Sequence, residues 1–354
     1  MNTIHNKRPV NVEITIDRPE ETPYAFYTPA FFVESDNTAR YMNVTSLKDV
    51  LDNGFDEDSS AYNYVKLALL QSQHVDNIII VSKRTGETYL DAYIASPRHL
   101  YYFMSLENQS VVDVLEISDY LINTDTRKLI FITKYEDISS DLLGRRNIVW
   151  WWQSDYWFWD SSTIVGWDSD AEMELSVQQF PESAWISRCG SLFPSQVQWS
   201  CKELTNIETT SKFTPQKGIS YDDETDIQPP FTTPSNYYDS VEDYGVTWGS
   251  GTTCNGEWID NVVFDDWLCW AIQRNVWKLF KTSKKVSATE DGVNKINVKV
   301  KEVLDFGIVQ DGILSHKITK SEYNRYTRTA SLDFEYTRVH AIVGVITIKG
   351  TLIF

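Results

Sequence analysis

Cysteine, histidine and methionine are scarce in this chain, with 4, 5 and 4 residues among 354. Cys189, Cys201, Cys254 and Cys269 form no C-x-x-C pair and have no histidine close by, which argues against a zinc site. Reduced, mostly buried thiols are expected, because free cysteine packs as a small apolar side chain. His5, His74, His99, His316 and His340 are scattered singly, so no pair shares a helical turn as metal hydrolysis usually requires. No G-x-S-x-G elbow is present. The richest glycine stretch, WGSGTTCNG from Trp248 to Gly256, lacks the lysine and the spacing of a phosphate-binding loop and reads as a turn. DNGFDEDSS has Asp52, Asp56 and Asp58, but Gly54 comes too early for a calcium loop and the closing glutamate is missing. No catalytic residue, metal or cofactor is therefore assigned.

Long apolar runs are also missing. Nothing approaches the roughly 20 residues of a membrane span, and MNTIHNKRPVNVEITIDRP lacks the unbroken apolar centre of a signal peptide. A soluble product made in the cytoplasm, with no membrane partner, is expected. Positive charge is in deficit: 32 Lys and Arg against 50 Asp and Glu give −18. Such a surface repels phosphate backbones, which excludes nucleic acid as the expected partner.

Aromatic residues are in excess. The chain has 13 Trp, 19 Tyr and 16 Phe, and eight of the tryptophans fall between Trp150 and Trp199. Trp150, Trp151, Trp152, Trp157, Trp159 and Trp167 could form a platform that stacks on sugar rings; they could equally fill a core or a subunit contact. The stretch NIVWWWQSDYWFWDSSTIVGWDSD carries too many large rings for one buried strand face.

The length suits two domains. VNVEITIDR alternates as a half-buried strand and is set off by PEETP. From Ala25 the pattern becomes α/β. A strand is expected at AFYTPAFFVES, then a short helix capped by Ser46, a helix at SSAYNYVKLALLQSQ and a buried strand at NIIIV. HLYYFMS, VVDVLEISDYLIN and KLIFITK repeat strand, helix, strand. TSKFTPQKGISYDDETDIQPPFTTPS reads as a junction, and YYDSVEDYGVTWGSG as a strand and turn. FDDWLCWAIQRNVWKLFK is a helix with Asp265 and Asp266 at its start and Lys278 and Lys281 at its end, as the macrodipole favours. A further helix runs from about Thr289 to Phe306, stopped by Gly307, and strands follow Ile313. The fold class is α/β (α+β): an open sheet layered with helices in two domains, with extended terminal strands.

The final stretch VGVITIKGTLIF would template aggregation unless it sits in a sheet. The N-terminal strand stands off on its spacer in the same way. If both ends pair with other copies, Val10, Val12, Ile14 and Ile16 at one end and Ile342, Val343, Val345, Ile346 and Ile348 at the other are inter-subunit strands. Such a contact is heterologous and propagates as a ring or helix.

Four stretches, in order along the chain, resemble the contractile tail sheath proteins of bacteriophages, in particular a shorter, divergent branch. They are SAYNYVKLALLQSQHVDNIIIVSKR, ESAWISRCGSLFPSQVQWSCKELTNI, NGEWIDNVVFDDWLCWAIQRNVWKLF and RVHAIVGVITIKGTLIF. Where relatives tend to have Pro-Gly this chain has Pro194-Ser195, and the Trp-dense segment after Asn147 has no counterpart. The resemblance implies a virion structural protein with no catalytic centre. It would form stacked hexameric rings around a tail tube, with both terminal arms woven through neighbouring sheets and with baseplate and tail terminator proteins as further partners. Residues 1–20 would be the N-terminal arm, 21–209 an α/β domain bearing the Trp-rich outer segment, 210–235 the junction, 236–335 an inner domain facing the tube, and 336–354 the C-terminal arm. From Arg274 to Glu302 there are eight Lys or Arg against three acids. In sheath relatives this helical region faces the tube, so Arg274, Lys278, Lys281, Lys284 and Lys285 are expected to meet an acidic tube surface. A carbohydrate- or receptor-binding virion protein using the tryptophans is the alternative.

Overall fold

The computed structural model describes residues 10–11, 25–37, 39–134, 140–152, 180–207, 236, 238–241, 244–246 and 251–340. These fall into two units. One comprises the described residues within 23–192 and 198–259; the other comprises residues 10–11, 193–197 and 260–340.

The chain enters with β1 (Val10–Asn11), and the larger unit then opens on β2 (Pro29–Glu34) and β3 (Tyr41–Val44). Two helices follow, α1 (Leu47–Asp52) and α2 (Ser60–Leu69), and then β4 (Ile78–Lys83). Next come α3 (Tyr89–Ala95), β5 (Phe103–Leu106), α4 (Val111–Asn123), β6 (Leu129–Lys134) and β7 (Ile148–Trp152). The last helix of the unit is α5 (Pro181–Gly190), followed by the short hairpin β8 (Asp239–Val241) and β9 (Tyr244–Val246). Ser46 caps α1 in a full capping box, accepting from the Asp49 amide while Asp49 reaches back. Strand order is β3-β4-β2-β5-β6-β7, parallel throughout except for β3 at the edge.

Both faces of this sheet are covered, so its strands are apolar on both sides. One face carries Ala30, Phe32, Ile79, Val81, Met104, Ile130, Ile132, Ile148 and Trp150, packed with residues of α3 and α4 such as Tyr93, Ile117 and Leu121. On the other face α2 and α5 meet a ring cluster. There Trp185 lies 5.1 Å from Trp151, 5.4 Å from Trp199 and 5.8 Å from Phe131. The tryptophans of VWWW are too many for one buried face and are divided between two: Trp150 and Trp151 point to opposite faces of β7, and each face has a core to receive its indole. Gly190 lets α5 approach β5, since a Cβ there would sit 2.9 Å from Phe103 Cε2.

The smaller unit holds β1, the helices α6 (Ile259–Thr282, from Asp260 on) and α7 (Glu290–Val309), and a long hairpin of β10 (Ile313–Asn324) and β11 (Thr329–Arg338). Thr289 caps α7, accepting from the Gly292 amide. Two helix ends differ from the sequence reading. α6 begins at Ile259, so Asp260 occupies its first turn and Asp265 and Asp266 its second. Gly307 does not stop α7, which continues to Val309; the left-handed residue is Asp311, with φ 57°. Gly307 serves packing instead, because a Cβ there would lie 2.7 Å from Ile313 Cδ1. No described helix is long and apolar enough to cross a membrane.

Candidate functional site

An open doubly wound sheet binds ligands beyond the carboxyl ends of the strands where their order reverses, here between β2 and β5. That crevice is filled by the chain's own groups. The Glu34 amide donates to Glu107 Oε2 (2.5 Å) and the Ser60 hydroxyl to Glu107 Oε1; Lys83 Nζ pairs with Glu34 Oε1 (3.0 Å); and the Asn108 amide donates to the Tyr89 hydroxyl (2.9 Å). Among the described residues no group of three or more His, Cys, Asp or Glu could hold a metal ion. Cys189, Cys254 and Cys269 are buried free thiols and Cys201 is exposed. Burial pushes the thiols of Cys189 and Cys254 up to about 12, which leaves them protonated and unreactive.

Two buried ionisable groups hold the larger unit together. Glu182, fully buried in the first turn of α5, accepts from Gln109 Nε2 (2.6 Å), Ser105 Oγ (2.8 Å) and Thr133 Oγ1 (2.6 Å). Burial raises its pKa, against hydrogen bonds that favour the ionised form. These partners come from β5, β6 and the turn before α4, so the carboxyl is a joint between α5 and the sheet. Lys128 donates to the carbonyls of Arg98 (2.6 Å) and Tyr101 (2.5 Å) and sits 4.2 Å over the Tyr101 ring. Burial, with Arg98 nearby, lowers its pKa to about 7. Between that value and the unfolded value of about 10.4, the unfolded chain binds more protons, so stability rises with pH. Unfolding free energy is expected to climb by about 1 kcal/mol per unit between pH 7 and 8.5. Denaturant titrations checking this should lose that slope in Lys128→Met.

The sequence-derived assembly residues are placed as follows. Val10 pairs with Phe334 and Asn11 with Asp333, antiparallel, on the outer edge of β11, giving the sheet order β1-β11-β10. Val12, Ile14, Ile16, Ile342, Val343, Val345, Ile346 and Ile348 lie outside the described residues. The hairpin itself is long and largely exposed along β10. It is anchored to α6 by Arg338 pairing with Asp265 and by the Tyr336 hydroxyl donating to Asp265 Oδ1 (2.5 Å), and to α7 by His316 against Asp305 (2.7 Å). Arg274, Lys278 and Lys281 share α6, whereas Lys284 and Lys285 are exposed just beyond its end. Of the six tryptophans of the proposed sugar platform, Trp150 and Trp151 are core residues at 1% and 2% exposure. Trp157, Trp159 and Trp167 lie outside the described residues, as does the Trp152 side chain.

Sequence reasoning missed Asn236. Fully buried, it extends the sheet beyond β7: Nδ2 donates to the carbonyls of Trp150 (2.7 Å) and Thr252 (2.8 Å), and Oδ1 accepts from the amides of Gly251 (2.7 Å) and Thr252 (2.9 Å). Only its place beside a Pro-rich stretch hinted at a turn, and nothing local marks an amide that satisfies four backbone groups.

Residues 259–333 match the family model described as E217 tail sheath protein gp31-like, C-terminal domain. No curated protein matches. Among solved structures, a chain of the anti-feeding prophage (AFP) baseplate superposes with a TM-score of 0.63 at 9% identity, covering 99% of this chain and 98% of that one. A chain of an extracellular contractile injection system, the PVC sheath complex in its contracted state, gives 0.62 at 9% identity, covering 99% and 96%. The matched segment holds α6, α7, β10 and the first half of β11, so the hairpin unit is the part that carries the sequence signal. The C-terminal region of the chain is thus similar to the gp31-like tail sheath C-terminal domain, within a fold shared with chains of the AFP baseplate and the PVC sheath.

Proposed function

We propose that the chain is the repeating subunit of a contractile tail sheath, polymerising as stacked hexameric rings around a tail tube and contracting to drive that tube through a host envelope. It would be assembled in the host cytoplasm and remain in the virion tail, between baseplate and tail terminator proteins. The observation that carries this reading is the tail sheath match over residues 259–333, on a unit built around a long hairpin. A long, exposed β10 edge, on which no strand pairs among the described residues, is a liability in an isolated protein and an asset in a polymer, because such an edge invites another strand.

No fuel molecule is needed. The extended lattice stores free energy as a metastable packing and relaxes to a tighter one when triggered. In this reading residues 236–335 face the tube, and Arg274, Lys278, Lys281, Lys284 and Lys285 supply positive charge in an otherwise acidic chain. Electron microscopy of the purified protein, with and without tube polymer, tests the proposal. Long striated cylinders are expected, and isolated particles under both conditions would overturn it.

A further inference from the structure

Among the described residues, the side-chain bonds from α7 to β10 end at Ser321, which meets Asn297 Nδ2 at 2.9 Å. Of residues 322–331, all are exposed except the partly buried Tyr323. A two-stranded ribbon without a core has little stability of its own, yet this tip holds a defined shape. Asn324 Oδ1 accepts from the amides of Tyr326 (2.9 Å) and Thr327 (3.2 Å), and Arg328 closes the turn in the left-handed region at φ 58°. Arg325 lies 5.6 Å from the Tyr323 ring centroid and donates to the Tyr323 hydroxyl (3.2 Å). Tyr326 is 98% exposed. Tyr323, Arg325, Tyr326 and Ser331 help to line an open recess; Glu322, also in its lining, pairs with Lys320 (2.9 Å).

Tyrosine and arginine are among the side chains that dominate binding at interface centres. A guanidinium already held on a ring, in a turn already closed by Asn324, loses less freedom on binding than a loose loop would. Residues 323–332 contain Arg325 and Arg328 and no acid, in a chain of net charge −18. Such a tip selects a partner bearing carboxylates. The chain itself supplies one. Asp56, Glu57 and Asp58, on the turn before α2, are the one run of three consecutive acids among the described residues. All three are exposed, and no described ion pair uses them. Their turn is fixed as well, since Ser59 donates to the Asp56 carbonyl through its amide (3.1 Å) and its hydroxyl (2.6 Å).

We infer that the hairpin tip of one copy docks on the acidic turn at residues 56–58 of a second copy, with Arg325 and Arg328 taking its carboxylates and Tyr326 supplying contact area. Tip and turn are different surfaces, so the contact is heterologous and every copy offers both halves. It rests on the reading of the chain as a polymer subunit, and it is made by side chains rather than by exchanged strands.

Sedimentation of the full chain over a range of concentrations measures the contact. Arg325→Glu with Arg328→Glu is expected to raise the concentration needed for association about 30-fold, and Asp56→Lys with Glu57→Lys and Asp58→Lys to do the same. An equimolar mixture of these two variants should recover association, because the acidic tip of one then meets the basic turn of the other. Tyr326→Ala should cost about tenfold, and Arg325→Lys with Arg328→Lys should keep most of the affinity. If the parent chain forms cylinders and reversing the tip changes nothing, the inference is refuted and the sheath reading stands. If the reversals act as expected but electron microscopy shows no cylinders, the sheath reading falls and the contact stands. If reversing the tip weakens association while reversing the turn does not, the tip meets another surface and the inference is overturned. A parent chain that never associates overturns both. Since the substituted residues are exposed, melting temperatures should match the parent's; should a reversal destabilise the fold, Arg325→Gln with Arg328→Gln and Tyr326→Ala decide.

Discussion

Deleting residues 1–18, or residues 342–354, is expected to leave a folded, soluble body that no longer polymerises. The sheet core of the larger unit and the packing of α6, α7 and the hairpin involve neither segment among the described residues, apart from β1. What the deletions remove is strand. On the woven-arm reading, each terminus completes a ladder on another copy, and the outer edge of β11, where Val10 and Asn11 pair, is the kind of edge such a strand takes. A donated strand of five or six residues makes several backbone hydrogen bonds at roughly 0.5–1.5 kcal/mol net each, with apolar burial added. Because every subunit would be tethered to several others, the terms multiply as effective concentration, and removing one end should lower assembly by orders of magnitude. The same tethers would let bodies rotate and slide during contraction without leaving the lattice. Negative-stain images and sedimentation of the two truncations provide the check. Ordered tubes from either would remove the woven arms from the mechanism.

Trp185→Ala is expected to be the most damaging single substitution in the larger unit, at about 3–5 kcal/mol. The indole is fully buried and touches Trp151, Trp199 and Phe131, while its Nε1 donates to the Trp199 carbonyl (2.9 Å). Truncation leaves a cavity among rigid rings that cannot collapse into it, and strips a buried carbonyl of its donor. A loss of this size is a large fraction of the stability of an ordinary domain, so a substantial fall in urea midpoint is expected. A fall equivalent to less than about 1 kcal/mol would mean that α5 contributes little to holding the sheet. Trp185→Phe, which keeps a ring in the site, should recover part of the loss.

Some elements were legible locally and others were not. β2, β4 and β6 announce themselves as apolar runs, α2 and α4 as amphipathic stretches, α1 through its cap Ser46, and α7 as a stretch starting near Thr289. α5 escaped because nine of its ten residues are buried. A helix enclosed on all sides shows no apolar stripe, and this one is built largely of small and polar residues whose partners lie elsewhere in the chain. α3 is only seven residues long and offers too few turns for periodicity to register. Gly307 misled because a glycine needed for close packing against Ile313 looks, in sequence, like a glycine needed for a left-handed turn.

By itself, the amino-acid sequence determined the α/β class, most of the repeating strand and helix segments, the basic stretch from Arg274 onward in an acidic chain, and the family resemblance. All of these are properties of neighbouring residues or of composition. Tertiary structure alone decided the strand order β3-β4-β2-β5-β6-β7, the burial of Trp150 and Trp151 on opposite faces, the joint at Glu182, the Asn236 clamp and the pairing of β1 with β11. Each of those depends on which distant segments meet. Local patterns carry little information about that choice, because an apolar strand face fits many partners until packing and hydrogen bonding select one.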